Sequence, residues 1–302
     1  MFDRVVLSRD LVDCAGAVLA PRGAVVSVGS VRESARAARP APKVLLVRSG
    51  VAAHLHHVIA DPPYRHLFRS EAVRSAVTRV LLEVRLPLAL FDELRALHAS
   101  DPPRYRHALA TSAITIAMLL AAVGDARALP DLAAAGLLHD LGMRHVSPAL
   151  ARGGGDPLDG EGARELAAHP LLGALHLSLL LGPHPAVEAA FSHHWRAGSG
   201  YPVLTRAPSR SAEVVAVASA FAALTQSRSY RPAPYDARGA ADLLAEEARG
   251  RSADAGAVRL LVHALRGGAP GQSGAVRLGR KRLEPAPEVN RHRLLGLPAA
   301  SA

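Results

Sequence analysis

Residues 130–142 read PDLAAAGLLHDLG. Pro130 and Asp131 suit the first turn of a helix: proline has no amide hydrogen to leave unpaired there, and a carboxylate complements the positive end of the helix dipole. Gly142 supplies the open backbone at which a helix stops. The stretch predicts a helix whose last turn carries a histidine and an aspartate side by side, His139 and Asp140.

The sequence on either side reads the same way. Ser70 can cap a helix with an apolar stripe at Val73, Val77, Val80, Leu81 and Val84. A second helix over 87–100 is expected to end at DPPR, 101–104. A third runs from His107 to Gly124, and further helices are expected at 161–181, 185–195, 211–227 and 237–265. Before residue 62 the pattern differs. RVVLSRDLV (4–12), GAVLAPRGAVVSVG (16–29) and KVLLVRSG (43–50) read as short strands punctuated by Gly and Pro. The expected fold is mainly α with a small N-terminal β-containing domain. Its divisions are 1–62 for that domain, 63–98 for a helical connector, 99–266 for the main helical domain and 267–302 for a Gly/Pro/Arg-rich tail.

The chain has 302 residues and 49% apolar residues, enough to build a core, but only 4% aromatics. The net charge of +10 is almost all arginine, since Lys43 and Lys281 are the only lysines. The arginines are scattered apart from a cluster at 277–282, so nucleic acid is not expected as a partner, whereas an anionic small molecule suits the charge. Cys14 is the single cysteine, which excludes an internal disulfide framework and a cysteine-based zinc site. The most apolar run, 113–123, is short for a membrane span, and the N-terminus carries charge at once; a soluble cytoplasmic protein is expected.

Of 15 histidines, five stand at helix ends or breaks of the main helical domain together with one aspartate: His107, His139-Asp140, His169 and His193-His194. Imidazole nitrogens and a carboxylate suit Fe, Mn, Zn or Ni. An aspartate can bridge two cations through its two oxygens while its histidine neighbour holds one. That is the donor set of a two-metal hydrolase acting on a phosphate ester.

The ordered series His107, LLHDLG, His169-Pro170, HH followed by GSGYP, and SRSYR (227–231) resembles the HD-GYP family over roughly residues 99–265. These are bacterial phosphodiesterases that hydrolyse cyclic di-GMP. The resemblance implies an HD-domain helical bundle holding two divalent transition-metal ions, Fe or Mn. By position the ligands are His107, His139, Asp140, His169, His193 and His194, with Asp140 bridging and catalytic. Tyr201 and Pro202 match the signature loop. Arg228 and Arg231 match a basic pair that contacts nucleotide phosphates, a task suited to the guanidinium fork. The implied partners are cyclic di-GMP or a related nucleotide and signalling proteins, with a homodimer left open and no membrane.

The sequence departs from the family pattern at four places. Met143 stands where a lysine is usual. The segment after the histidine pair, HHWRAGSGYP, is one residue short and lacks both acidic residues. Ser219 replaces the aspartate that closes the first metal site, and Pro103 stands where a third-metal glutamate would be. A working cyclic di-GMP phosphodiesterase is the first reading. The second is a degenerate module of the same type that binds a nucleotide or a partner protein without turnover.

Overall fold

The computed structural model describes residues 4–46, 50–147, 150, 160–196, 200–202, 204, 206–228 and 233–272. Near the N-terminus the strands form short antiparallel pairs. Strand β1 (Arg4–Val6) pairs with β4 (Val25–Ser27), and β2 (Leu11–Val12) with β3 (Val18–Ala20). Strand β5 (Lys43–Leu45) pairs with β6 (Arg85–Pro87), which lies in the connector, so this ladder crosses the 62/63 boundary. Two helices stand in this region that the strand-like pattern did not announce. Helix α1 (Val28–Ala37) starts at Ser27, whose hydroxyl accepts the Ser30 amide while the Ser30 hydroxyl accepts the Ser27 amide, a reciprocal cap. Helix α2 (Val51–Ala60) follows Gly50, at φ +74°.

The remainder is helical, as expected for a mainly α fold. The helices are α3 (Glu71–Leu82), α4 (Leu88–Ser100), α5 (Pro102–Val123), α6 (Leu129–Leu138), α7 (Gly160–Leu181), α8 (Pro185–Ser192), α9 (Arg210–Thr225), α10 (Ala237–Arg249) and α11 (Ala255–Leu265). The DPPR segment starts a helix as well as ending one. The Asp101 carboxylate accepts the Arg104 amide, and Pro102 and Pro103 occupy the first positions of α5, so the helix begins five residues before His107. The expected single helix over 237–265 is two: Gly250 and Arg251, the latter at φ +61°, end α10, and Asp254 caps α11.

Helix α5 is the axis of the core, packed against α2, α3, α4, α6, α9 and α11. It is apolar on nearly every side because it is buried on nearly every side. By length and composition it is long enough to cross a membrane, yet 67% of its most apolar window is buried inside the protein, as in a core helix. Close approach to α6 depends on small residues: a Cβ on Gly136 would lie 2.8 Å from the Ser112 Cα, and the Ser112 hydroxyl donates to the Ala133 carbonyl at 2.8 Å.

The N-terminal elements share this core. Leu7, Leu11, Val26 and Val31 belong to one apolar cluster with the helices, and α1, β1 and β4 pack on α7. A polar seam runs beneath them. Glu93 of α4 is buried, accepts the Cys14 amide at 2.8 Å, pairs with Arg144, and lies 3.5 Å from His176 Nε2 of α7. His145 and His176 approach at 3.2 Å, and Arg9 donates to the His145 carbonyl at 2.6 Å. At the other end, Gly271 donates to the Ala122 carbonyl at 3.1 Å, so the first residues of the expected tail fold back onto α5. Residues 273–302 lie outside the described residues.

Candidate metal centre

Four elements deliver the histidines to one place. His107 lies on α5, His139 and Asp140 follow α6, His169 is in α7, and His193 and His194 follow α8. The chain folds this way locally because glycine and proline stand at the junctions. Gly142 is pressed against α7: a Cβ there would overlap the His169 carbonyl and lie 2.6 Å from the Gly173 amide nitrogen. A side chain would force the segment carrying His139-Asp140 away from the helix carrying His169. Pro170 stands inside α7 and has no amide hydrogen, which frees the Leu166 carbonyl from its helical partner. The His169 ring takes that partner's place, with Nδ1 2.6 Å from the Leu166 oxygen.

The same clamp recurs. His139 Nδ1 is 2.8 Å from the Gly136 carbonyl, and His193 Nδ1 is 2.9 Å from the Ala190 carbonyl. A carbonyl only accepts, so each Nδ1 carries the ring hydrogen, and in a neutral imidazole Nε2 is then a bare lone pair. Burial drives the rings neutral: His107, His193 and His194 are held far below the ordinary histidine value, and His139 and His169 below it. Asp140 goes the other way. Burial opposes its charge, but any proton taken up by His169, His139 or His193, and then the charge of Arg104, favours the carboxylate, and the carboxyl is held well below its usual range. The donor set is neutral imidazoles around one ionised carboxylate.

Two groups result, His107-His139-Asp140 and His169-His193-His194, each with its donor atoms within 4.8 Å of one another, and either could hold a metal ion. They meet at Asp140, whose Oδ1 is 3.3 Å from His169 Nε2 and 3.8 Å from His193 Nε2. The groups differ in one respect. His169 Nε2 and His193 Nε2 face each other at 3.2 Å. With both hydrogens committed at Nδ1, these are two lone pairs turned on one point beside a carboxylate, an arrangement that a cation satisfies and that no described donor does. In the first group, Ser219 Oγ lies 3.0 Å from His139 Nε2 and 3.3 Å from His107 Nε2. One hydroxyl serves both: it donates to His139 and accepts from His107. The residue left over is His107 Nδ1, buried without a hydrogen-bond partner.

The surrounding walls follow from the same segments. Tyr201 donates its amide to the His194 carbonyl at 3.2 Å and stacks on the His194 ring, centroids 4.8 Å apart and planes 19° from parallel. Gly200 makes that turn possible, since a Cβ would overlap the His194 carbonyl and the Arg196 amide. Buried Arg196 donates to the Trp195 carbonyl at 2.8 Å and the His193 carbonyl at 3.3 Å, and so supports the turn from behind. Arg228 is near enough to His107 and His139 to disfavour their protonation. Arg231 lies outside the described residues.

The structure therefore brings together His107, His139, Asp140, His169, His193, His194 and Tyr201, with Arg228 at the edge. Sequence reasoning passed over Arg104, three residues before His107 on the same face of α5 and ion-paired with Asp101 at 3.1 Å; that spacing was its signal. It also passed over Arg196, for which adjacency to the histidine pair was the sole sign. Neither the sequence profiles of known protein families nor the sequences of characterised proteins match this chain.

Proposed function

We propose that the chain is a metal-dependent phosphodiesterase of the HD-GYP type that hydrolyses cyclic di-GMP in bacterial second-messenger signalling. The observation that carries this reading is the pair of facing Nε2 lone pairs on His169 and His193 beside Asp140. The chain order of the ligands supports it, since it is the order the resemblance implies.

Two divalent transition-metal ions, Fe or Mn, would fit the donors, with Asp140 available to both. His169, His193 and His194 would hold one ion, and His107 and His139 the other. When bound, such ions polarise a phosphoryl oxygen and make a nucleophile available at neutral pH. The protein's own contribution is positional. The carbonyl clamps hold His139, His169 and His193 with Nε2 inward, Tyr201 walls the His194 side, and the Arg228 guanidinium, near His107 and His139, would meet a substrate phosphate.

Ser219 and Met143 favour a second reading, a module that binds the nucleotide and signals without turnover. The Ser219 hydroxyl already satisfies His139, and no lysine stands at 143. Hydrolysis of cyclic di-GMP by metal-loaded protein separates the two. Slow turnover is expected from the wild type. The double variant Ser219→Asp, Met143→Lys is expected to be about 10²-fold faster, the scale of a single electrostatic stabiliser. Metal-loaded protein inert in both forms would discard the enzyme reading.

A further inference from the structure

Between α2, α4, the first turns of α5 and residues 225–228 lies a cavity of about 650 Å³. That volume falls within the roughly 300–1,000 Å³ of small-molecule sites. None of the histidines of the metal centre lines it. Part of its wall is aromatic. His54 and His98 stack with ring centroids 4.4 Å apart and planes 28° from parallel, and Tyr105 leans on His98 at 4.7 Å. The Tyr105 hydroxyl bonds His54 Nδ1 at 3.0 Å and locks the group, while His98 stays exposed.

The charge of the cavity is one-sided. Asp61 is the single carboxylate among the described lining residues, and Arg106 already binds it, with Nε at 3.1 Å. Arg228 also lines the cavity, and its Nε is buried without a hydrogen-bond partner. Arg228 follows α9, the helix whose Ser219 hydroxyl bonds His107 and His139, so one stretch of chain reaches both the cavity and the metal centre. Only Arg106 separates Tyr105 from His107 along α5.

We infer that this cavity is a nucleoside subsite, taking a planar base against the His54-His98-Tyr105 wall with the adjoining phosphate on Arg228. The inference rests on the nucleotide-phosphodiester reading of the metal centre. It adds that the N-terminal region, through α2, forms part of the substrate site. Flat rings accept any base face, whereas Arg228 demands an anion next to it.

Calorimetry on the metal-loaded full chain tests it with two probes, 5′-GMP and ribose 5-phosphate. GMP is expected to bind about 10-fold tighter, the increment of one stacked base. His98→Ala should erase that difference without changing metal content, since His98 is exposed and bears no ligand. His98→Phe, which restores a flat ring, should bring the difference back, and Arg228→Ala should weaken both probes. Equal affinity for the two probes, no binding of either, or an unchanged ratio in His98→Ala would overturn the subsite. A GMP preference that depends on His98 in a protein without turnover would uphold the subsite while the enzyme reading fails. Turnover with equal probe affinities would sink the subsite alone.

Discussion

One hydroxyl sets the two histidine groups apart. Ser219 closes the first group with hydrogen bonds of its own, whereas the facing Nε2 acceptors of the second group have no donor among the described residues. The two ions are therefore expected to bind with unequal affinity, the tighter one at His169, His193 and His194. A carboxylate at 219 would add an anionic donor to His107, His139 and Asp140 and remove the competing hydroxyl. Ser219→Asp is expected to tighten the weaker ion on the order of 10- to 100-fold, the range one partner commands at a metal site. Competition with a chromogenic chelator reads this directly, and an unchanged weaker affinity would contradict it. The place of Ser219 in the ordered series was legible from the sequence. That its oxygen bridges two imidazoles was not, because the bridge joins residues 112 and 80 positions apart.

Among the elements, α7 carries the most specific device. Pro170 removes the hydrogen that would occupy the Leu166 carbonyl, and His169 uses the vacancy to fix its tautomer. Pro170→Ala returns an amide donor to that carbonyl. Metal affinity at the His169 group is expected to fall about 10-fold, while the metal-free protein holds or gains stability because an interior proline costs a helix bond. Loss of stability together with unchanged metal affinity would refute the clamp. Legibility at this scale follows from how strongly each segment marks its period and its ends. The long apolar helices α3 to α9 were readable from caps and stripes. Helices α1 and α2 are not, because they follow directly on the strand-like runs 16–29 and 43–50 and are fixed by packing on α7 and α5. The double proline after Asp101 reads as a stop in the sequence, although the same residues make a first turn.

At the scale of the whole molecule, the seam of Glu93, Arg144, His145 and His176 joins the N-terminal strands to the turn that follows Asp140. Its histidines had no legible partner in the sequence, since α4, α7 and the N-terminal turn meet only in three dimensions. Burial pushes His145 down to about 3, with the charges of His176, Arg144 and Arg9 adding to the effect, and His176 to about 4, with Arg144 adding and Asp13 opposing. Both titrate near 6.5 when unfolded. Between those values the unfolded chain binds the protons and the folded one does not, so this stability is complete above pH 6.5 and falls as pH drops toward 4 and then 3. Each histidine contributes a slope of at most about 1.4 kcal/mol per pH unit. Urea unfolding at pH 7 and pH 5, with chelator present, should show the loss. The variant His145→Gln, His176→Gln should lose less on acidification, and an identical pH dependence in the two proteins would exclude the seam as the cause. Metal binding at Asp140 is tested most directly by the metal content of the anaerobically purified full chain beside that of Asp140→Asn. About two transition-metal ions per chain are expected in the wild type, with both occupancies lowered in the variant; a wild type that takes up no metal, or a variant that keeps its full complement, would contradict it.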